Sequence, residues 1–194
     1  PKEQRPYKRY GAARDMWRSG KPEVLLSGPA RTGKSRACLE KLYHCADKYP
    51  GMRGLICRKT RESITQTVMV TWEQKVLPAG WVEDKTVRFN TTEQQYELPN
   101  GSIIAVAGLD KASKIMSSEW DVIYVPEATE LFKDDWEALT TRLRNNVMPY
   151  QQLIADCNPS YPNHWLKLRA DRGDVLMLES RHEDNPSVTK EYLE

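Results

Sequence analysis

Residues 28–35 read Gly-Pro-Ala-Arg-Thr-Gly-Lys-Ser, and this segment constrains the fold more than any other part of the sequence. The apolar residues 24–27 precede it, and a helical pattern follows from residue 34 to residue 49. Such a loop between a strand and a helix points successive backbone N–H groups and the helix N-terminus at a single anion. Gly28 and Gly33 permit backbone angles and a close approach that a side chain would block. The segment therefore predicts the phosphate-binding loop of a nucleoside triphosphatase.

Two loop side chains are expected to contact the nucleotide directly. Lys34 is placed to reach the β and γ phosphates of ATP, and the Ser35 hydroxyl is placed to take one coordination position on Mg²⁺. Arg31 adds a positive charge that binding a diphosphate does not require, so it either stabilises the γ phosphate or faces solvent. We predict Lys34 and Arg31 as catalytic residues. The predicted nucleotide-binding residues of this region are Gly28, Pro29, Ala30, Arg31, Thr32, Gly33, Lys34, Ser35 and Arg36.

The composition is that of one globular domain. Of 194 residues, 39% are hydrophobic and 29% are charged, and no apolar run approaches the roughly 18 residues of a membrane span. The first ten residues do not resemble a signal peptide, so we expect a cytoplasmic protein. The net charge of +2 argues against a protein that coats nucleic acid through its overall field.

The cysteines, histidines and tryptophans give little sign of a special site. The four cysteines show no Cys-x-x-Cys pairing and the three histidines are scattered, so we expect reduced, buried thiols rather than a zinc site. Trp17, Trp72 and Trp136 lie within helical patterns and are expected in the core rather than on a stacking surface.

Short apolar runs alternate with helical patterns along most of the chain. This alternation implies parallel strands joined by right-handed crossovers, with helices on both faces of the sheet. The pairs are 24–27 with 34–49, 54–57 with 62–76, 122–125 with 136–144, and 153–156 with 164–169, followed by a strand at 175–178 and a polar turn at 182–186. Residues 87–90, 95–98 and 102–108 predict an added antiparallel meander. The predicted fold class is α/β: one RecA-like P-loop NTPase domain over residues 1–194, with a mostly parallel central sheet.

Glu127 follows the apolar strand 122–125 after a single proline. Hydrolysis requires a carboxylate that positions water, and in such enzymes it usually lies at the end of a buried strand. We therefore predict Glu127 as the catalytic residue that orients the attacking water. The alternative is an exposed glutamate that caps the next helix.

Pro126 stands where such strands normally carry the aspartate associated with the metal, and proline offers no side-chain acceptor. Asp121 cannot replace it, because five strand residues at about 3.3 Å each separate the two positions by roughly 16 Å. Two possibilities remain for Mg²⁺. Either Ser35, the phosphates and water hold it without that aspartate, or Asp156 on another strand contributes. Weak intrinsic ATPase activity is expected in consequence.

Together these motifs resemble the N-terminal ATPase domain of the large terminase subunit of tailed double-stranded DNA bacteriophages. The resemblance covers nearly the whole chain and depends on the order and spacing of short segments. Besides the phosphate loop, these segments are residues 5–7, 10–14, 58–61, 108–111, 127–131, 141–144, 158–159, 164–165 and 183–186.

The resemblance implies a motor that hydrolyses ATP and drives double-stranded DNA into a procapsid. Its implied partners are that DNA, the portal protein, the small terminase subunit and further copies in a homo-oligomeric ring, in the host cell cytoplasm and without membrane contact. It also implies an RNase H-like nuclease domain that begins shortly after residue 194, and the present chain shows no cluster of nuclease carboxylates. The isolated domain is expected to be monomeric.

Carried over by position, the resemblance makes Pro6, Tyr7 and Tyr10 the predicted neighbours of adenine, unless the aromatic rings only anchor the N-terminal arm. Asn158 matches the motif that couples the nucleotide site to movement, the alternative being an Asn-Pro turn at a strand end. In such rings a basic residue of the neighbouring subunit completes the active site. The candidates for that residue are Lys111, Lys114, Arg142 and Arg144. An isolated domain is therefore expected to bind ATP but hydrolyse it slowly.

Three other functions stay open at this point. A P-loop kinase would pass the γ phosphate to a small acceptor, although Glu127 favours water as the acceptor. A regulatory nucleotide switch would do little chemistry, which the proline at position 126 favours. A helicase-type motor would use the same machinery on DNA. The candidate contacts with DNA phosphates are Arg58, Lys59 and Arg61, with Thr60 and Ser63 nearby.

Overall fold

The computed structural model describes residues 6–185, which form one sheet of eight strands in the order β3-β4-β5-β2-β6-β7-β1-β8. The strands are β1 Glu23–Ser27, β2 Arg53–Arg58, β3 Arg88–Asn90, β4 Gln95–Glu97, β5 Ile103–Gly108, β6 Val122–Val125, β7 Gln152–Cys157 and β8 Leu176–Glu179. The six strands from β5 to β8 in this order form five neighbouring pairs, and all five are parallel, which confirms the predicted mostly parallel sheet. Arg5 and Pro186, which belong to two of the segments in the resemblance, lie outside the described residues.

The predicted meander forms one end of the sheet. β3 pairs antiparallel with β4, and β4 pairs antiparallel with β5. β5 also pairs parallel with β2, where Ile103 lies opposite Arg53. The third strand of the meander therefore belongs to the parallel core as well. Its residues 104–108 are buried, as a strand requires when both of its faces are covered.

Helices cover both faces of the sheet, as the alternating pattern predicts. They are α1 Gly11–Arg18, α2 Lys34–Lys48, α3 Glu62–Ile64, α4 Ser113–Met116, α5 Lys133–Thr140 and α6 Trp165–Asp171. The π-helical turns Thr65–Met69 and Trp72–Val76 continue α3, and single 3₁₀ turns occupy Leu109–Lys111, Ala128–Glu130 and His182–Asp184. The first three helices and the π turns share one hydrophobic core with one face of the sheet, and α4, α5 and α6 share a second core with the other. Leu26 enters the first core and Leu25 the second, because successive strand residues point to opposite faces.

Three helices differ from the sequence-based prediction. α1 is not among the predicted elements, which begin at residue 24; only Ala12 and Met16 of its eight residues are buried. The predicted helix at 136–144 begins earlier, because the Asp135 carboxylate accepts a hydrogen bond from the Phe132 backbone N–H at 3.0 Å and caps the first turn. The predicted helix at 62–76 exists as a helical stretch, but π turns replace most of its α-helical hydrogen bonds.

The expectations for cysteine and tryptophan hold with one exception. All four cysteines are buried and free. Trp72 and Trp136 are fully buried. Trp17 is only partly buried, with its ring centroid 4.2 Å from the Arg9 guanidinium carbon and 4.7 Å from the His44 ring, so the prediction of a core position for it is wrong. Among residues 6–185, no helix is long and apolar enough to cross a membrane, and no group of three or more His, Cys, Asp or Glu side chains is placed to hold a metal ion.

Lys41 is a buried charged residue that joins α2 to the end of α1. Its side chain is 1% exposed, and its ammonium group donates hydrogen bonds to the Met16 and Ser19 carbonyl oxygens, each at 2.8 Å. These carbonyls lie at the C-terminal end of α1, where a positive charge is favourable. Burial nevertheless lowers the pKa of Lys41 to about 8, and the nearby thiols of Cys45 and Cys38 oppose the decrease.

The low pKa of Lys41 predicts a pH-dependent contribution to stability. Between about pH 8 and pH 10.5 the unfolded chain binds the Lys41 proton and the folded chain does not, so this residue makes folding more favourable as pH rises through that window. We expect the free energy of unfolding of the wild type, relative to Lys41→Met, to increase by roughly 1 kcal/mol or more from pH 7.5 to pH 10. Urea unfolding of both proteins at several pH values measures this difference. A difference that is constant with pH would contradict the assignment.

Candidate nucleotide-binding site

The phosphate loop runs from the end of β1 to the start of α2. The Gly28 N–H donates to the Cys157 carbonyl oxygen at 3.2 Å, which fixes the start of the loop to β7. A Cβ atom at Gly28 would lie 2.3 Å from the Ser180 carbonyl oxygen. The close approach expected at Gly28 therefore exists, but its partner is the backbone after β8. At the other end of the loop, Gly33 has a φ of 81° as the N-cap of α2, a backbone angle that favours glycine.

The Lys34 side chain lies inside the loop. Its ammonium group donates to the Gly28 and Pro29 carbonyl oxygens at 2.8 and 2.7 Å and to the Thr32 hydroxyl at 3.3 Å. The Asn158 side-chain oxygen lies 3.5 Å from the same ammonium group. Burial lowers the pKa of Lys34, and the negative charge of Asp156 opposes the decrease. The loop lysine is thus in contact with the predicted coupling residue.

A cleft of about 790 Å³ opens above the loop and contains most of the predicted site. Its size is within the range of roughly 300–1,000 Å³ typical of small-ligand sites. Asp156, the possible second contributor to Mg²⁺ binding, lines the cleft. The other predicted residues that line it are Pro6, Tyr7, Ala30, Arg31, Thr32, Gly33, Lys34, Ser35, Arg36, Glu127 and Asn158. The fold therefore brings the phosphate loop, the acidic strand end and the N-terminal arm to one place.

Glu127 lies at the strand end opposite the phosphate loop, where its exposed side chain lines the cleft. Its backbone has φ 53° and ψ 47°, a left-handed conformation that is unfavourable for a residue with a side chain. The Glu127 N–H donates to Asp156 Oδ1 at 3.1 Å, and this bond holds the unfavourable conformation. The turn directs position 127 away from the buried strand and toward the cleft.

The residues around the phosphate loop fit a magnesium ion bound together with a nucleotide. Ser35 is exposed at the start of α2, and Asp156 is a buried carboxylate at 4% exposure that lines the same cleft. Mg²⁺ usually keeps several waters and takes only one or two protein ligands besides phosphate oxygens, so one hydroxyl with one nearby carboxylate is a suitable donor set. Asp121 is excluded, as expected, because it lies before β6 and accepts hydrogen bonds from Arg53 N and Val147 N, both at 3.0 Å.

The N-terminal arm supplies one aromatic residue to the cleft. Tyr7 is partly buried, with its ring centroid 5.2 Å from the guanidinium carbon of Arg36, and burial raises the pKa of its hydroxyl. Tyr10, the other predicted neighbour of adenine, is 40% exposed and lines a separate depression with Arg14. The structure therefore does not bring Tyr10 into the cleft. Its carbonyl oxygen accepts the first hydrogen bonds of α1, from the Ala13 and Arg14 N–H groups, which fixes Tyr10 at the start of the helix outside the cleft.

The four candidate basic residues lie at different edges of the sheet. Lys111 is exposed just after the carboxyl end of β5, on the edge that carries the phosphate loop. Lys114 lies 3.7 Å from Glu93 in an ion pair. Arg142 and Arg144 lie at the opposite edge, since the Arg142 carbonyl accepts a hydrogen bond from Trp120 just before β6. Arg144 is paired with Glu119 at 2.7 Å, and the Arg142 guanidinium donates to the Met116 carbonyl at 3.1 Å. Of the four, only Lys111 combines exposure with the carboxyl edge.

The structure adds cleft residues to which sequence reasoning gave no role. Thr71 and Lys75 come from the π-helical stretch that packs against α2, and Lys8, Ala13, Asp184 and Asn185 complete the lining. The Asn185 side chain donates to the Arg31 carbonyl at 2.7 Å, where Arg31 has a φ of 63°. No local pattern could reveal Thr71 and Lys75, whereas residues 183–186 already belonged to the resemblance.

The proposed DNA contacts are already engaged within the chain. Arg58 pairs with Glu130 at 2.7 Å. Lys59 pairs with Asp135 at 3.4 Å and lies 3.7 Å from the Phe132 ring centroid. Arg61 donates two hydrogen bonds to the Gln94 side chain, at 3.0 and 2.7 Å. These contacts fix the position of the three basic residues at the end of β2. The carboxylates offset the charges of Arg58 and Lys59, whereas the partner of Arg61 is a neutral amide. The assignment to DNA contact stays a prediction.

A Gly-x-x-x-x-Gly-Lys-Ser loop between a parallel strand and a helix, with an acidic residue after the next strand but one in the sheet, defines the P-loop NTPase fold class. The model of the phage terminase large subunit family matches residues 22–194. The chain therefore belongs to the phage terminase large subunit family, as the motifs predicted. No curated protein sequence matches the chain.

Solved structures show the same fold at low sequence identity. The large terminase from a thermophilic bacteriophage matches with a TM-score of 0.76 and 16% identity over 96% of this chain and 49% of that chain. The present chain thus spans about half the length of that terminase. The same terminase in complex with ATP-gamma-S matches with a TM-score of 0.74 and 16% identity, over 95% of this chain and 47% of that chain. The N-terminal domain of the DNA packaging ATPase from bacteriophage phi29 matches with a TM-score of 0.64 and 12% identity, over 91% of this chain and 97% of that one. The RecA-like fold class is therefore confirmed.

The close contact at Gly28 predicts that this position does not tolerate a side chain. We expect Gly28→Ala to destabilise the protein by about 1–3 kcal/mol, because its Cβ would overlap the Ser180 carbonyl. Nucleotide affinity should fall as well, because the loop must shift. Gly20→Ala is the matched control, since a Cβ there meets no atom within 4 Å. Thermal unfolding and nucleotide titration of both variants test this, and equal behaviour of the two would contradict the structural reason.

Proposed function

We propose that this chain is the ATPase motor domain of a DNA-packaging terminase, which hydrolyses ATP to move double-stranded DNA into a procapsid. One observation carries the proposal: Lys34, Ser35, Glu127 and Asn158 line a single cleft above the phosphate loop. The family membership and the likeness to a DNA packaging ATPase support the direction of this assignment. The RNase H-like nuclease domain that the family resemblance implies stays a prediction.

The side chains of the cleft have distinct roles in the proposed hydrolysis. Lys34 exchanges its hydrogen bonds to the loop carbonyls for the β and γ phosphates, and Arg31 adds positive charge at the mouth of the loop. Ser35 and the phosphates would hold Mg²⁺, which would neutralise charge on the phosphate oxygens. Glu127 accepts a hydrogen bond from the attacking water and orients it toward the γ phosphorus. Pro6 and Tyr7 contact the adenine.

The contacts of Asn158 depend on whether Lys34 binds the loop carbonyls or a phosphate. Its side-chain oxygen lies 3.5 Å from the Lys34 ammonium group, and it directly follows Cys157, the last residue of β7. When Lys34 turns toward a phosphate, Asn158 exchanges this contact for the γ phosphate or its water. The state of the nucleotide thereby changes the contacts at the end of β7, which is the coupling role we propose for Asn158.

Assembly completes the proposed motor. The proposed partners are the portal protein, the small terminase subunit and further copies of this chain, which form a ring at the procapsid. The proposed location is the host cell cytoplasm. We propose Lys111 of a neighbouring copy as the basic residue that stabilises the transition state, because it is exposed at the carboxyl edge of the sheet. The isolated chain then binds ATP but turns it over slowly.

The roles of Lys34 and Glu127 predict different defects. Lys34→Ala should abolish ATPγS binding, whereas Glu127→Gln should retain binding and lower turnover by about 100-fold or more, because only the water loses its acceptor. Phosphate release with ATP and titration with ATPγS separate the two effects. Glu130→Gln is the matched control, since Glu130 pairs with Arg58 and does not line the cleft. Transfer of the γ phosphate to a small acceptor instead of release as free phosphate would indicate a kinase and overturn the motor.

The trans role of Lys111 predicts complementation between two inactive variants. Lys111→Ala retains Glu127, and Glu127→Gln retains Lys111, so a mixture should recover turnover at interfaces that join an intact Glu127 to an intact Lys111. Turnover per molecule of wild type should also rise with protein concentration. Arg144→Ala, at the opposite edge, should keep wild-type turnover. No gain in the mixture over the separate variants would refute the assignment of Lys111.

A further inference from the structure

The end of β6 poses a problem for the proposed magnesium site. Pro126 is buried at the position where an aspartate usually stands, and its side chain offers no oxygen. The carboxylate of the adjacent Glu127 is already assigned to water. A neighbouring strand must therefore supply the missing acceptor, if the site has one.

Asp156 lies on the adjacent strand at the same level as Pro126. β7 lies between β6 and β1 in the sheet, and Val125 is in register with Ala155. Asp156 is thus next to the proline across the sheet, and Leu26 of β1 lies opposite it on the other side. Its side chain points to the sheet face that α2 covers, because Ile154, two residues earlier, packs in that core. This places the carboxylate beneath the phosphate loop, where it lines the cleft.

Asp156 is a buried carboxylate with few partners. The Tyr124 hydroxyl donates to Oδ2 and the Glu127 N–H donates to Oδ1 at 3.1 Å. Within residues 6–185, no lysine, arginine or histidine nitrogen lies within 4.0 Å of it. Asp121, the comparable buried aspartate at the other end of β6, accepts four hydrogen bonds. Lys34 is a nearby cation that interacts with Asp156 electrostatically, but it makes no ion pair with it within 4.0 Å. A buried negative charge whose direct donors are both neutral is incompletely compensated, so Asp156 retains capacity to interact with a second cation.

Tyr124 holds this carboxylate in place. Its side chain is fully buried in the core that β6 shares with α2, and its hydroxyl donates to Asp156 Oδ2. Together with the Glu127 N–H on Oδ1, this bond fixes both carboxylate oxygens at the edge of the cleft that Ser35 also lines.

We propose that Asp156 is the carboxylate that orients the Mg²⁺ ligands of this site, on the strand next to the one where Pro126 offers no acceptor. The proposal rests on the proposed nucleotide-binding function. Asp156 is a positioning residue: with Mg²⁺ bound beside Ser35, its carboxylate would accept hydrogen bonds from water on the metal. Its bond to the Glu127 N–H also places the water-orienting glutamate, so a single carboxylate serves both halves of the site.

The test is the magnesium requirement for nucleotide binding, which does not depend on turnover. ATPγS is titrated into the wild type and Asp156→Asn with EDTA and at increasing Mg²⁺ concentrations. We expect the half-saturating Mg²⁺ concentration to rise about 10-fold or more in Asp156→Asn, while affinity in EDTA does not fall, because only the metal loses a partner. Glu130→Gln, which removes a carboxylate from the turn after β6 but does not line the cleft, is the matched control and should keep the wild-type requirement. An unchanged requirement in a folded Asp156→Asn protein overturns the proposal.

Tyr124→Phe keeps the test decisive if Asp156→Asn does not fold. It removes only the hydroxyl that holds Asp156, so a raised magnesium requirement supports the role of this carboxylate, whereas an unchanged one overturns it. Lys34→Ala separates the present inference from the proposed function. If the wild type binds no ATPγS, or Lys34→Ala binds it equally well, the nucleotide site itself fails. If Lys34→Ala abolishes binding and both other variants have a normal magnesium requirement, only the role of Asp156 fails.

Discussion

Parallel pairing of β6, β7 and β1 is the constraint on which the site depends. Because the three strands run in one direction, their carboxyl ends meet at one edge, and each end supplies a different functional group. β1 leads into the phosphate loop, β6 into Glu127 and β7 into Asn158. The bond from the Gly28 N–H to the Cys157 carbonyl extends this pairing beyond the sheet into the loop. A change of register in any one strand would therefore displace one of the groups proposed to act in the site.

Buried charges in this chain fall into two kinds according to how fully their partners satisfy them. Glu23 is structural: it accepts from Trp136 at 2.6 Å and from the Arg169 guanidinium, so its charge is compensated within the fold. Asp121 is likewise satisfied by four donors. Lys34 and Asp156 differ, since they interact electrostatically without forming an ion pair within 4 Å, and both face the cleft. Incomplete compensation of this kind is expected where a ligand supplies the remaining charge.

Sequence patterns predicted the features that depend on local order. The phosphate loop, the alternating strands and Glu127 are each encoded in a few consecutive residues, and the structure brings them together as expected. Tyr10, Thr71 and Lys75 could not be placed in this way, because their position depends on where α1 turns and on how the π-helical stretch packs on α2. The edges at which Lys111 and Arg142 lie likewise follow from strand order, which no local pattern specifies.

The replacement at Pro126 shows why a departure from a motif has to be judged in three dimensions. Along the chain, position 126 lacks an acceptor and Asp156 is 30 residues away. Across the sheet the two positions are neighbours, because β6 and β7 pair in parallel with Val125 beside Ala155. The proline removes a carboxylate from one strand while the adjacent strand presents one on the same face, held by the tyrosine of the altered strand. Proline at this edge also leaves no backbone N–H to satisfy, so the Glu127 N–H is the next donor after Val125, and Asp156 accepts it. Pro126 and the carboxylate that accepts from the turn after it are therefore neighbours in the sheet, and in the proposed mechanism this links the binding of Mg²⁺ to the position of Glu127.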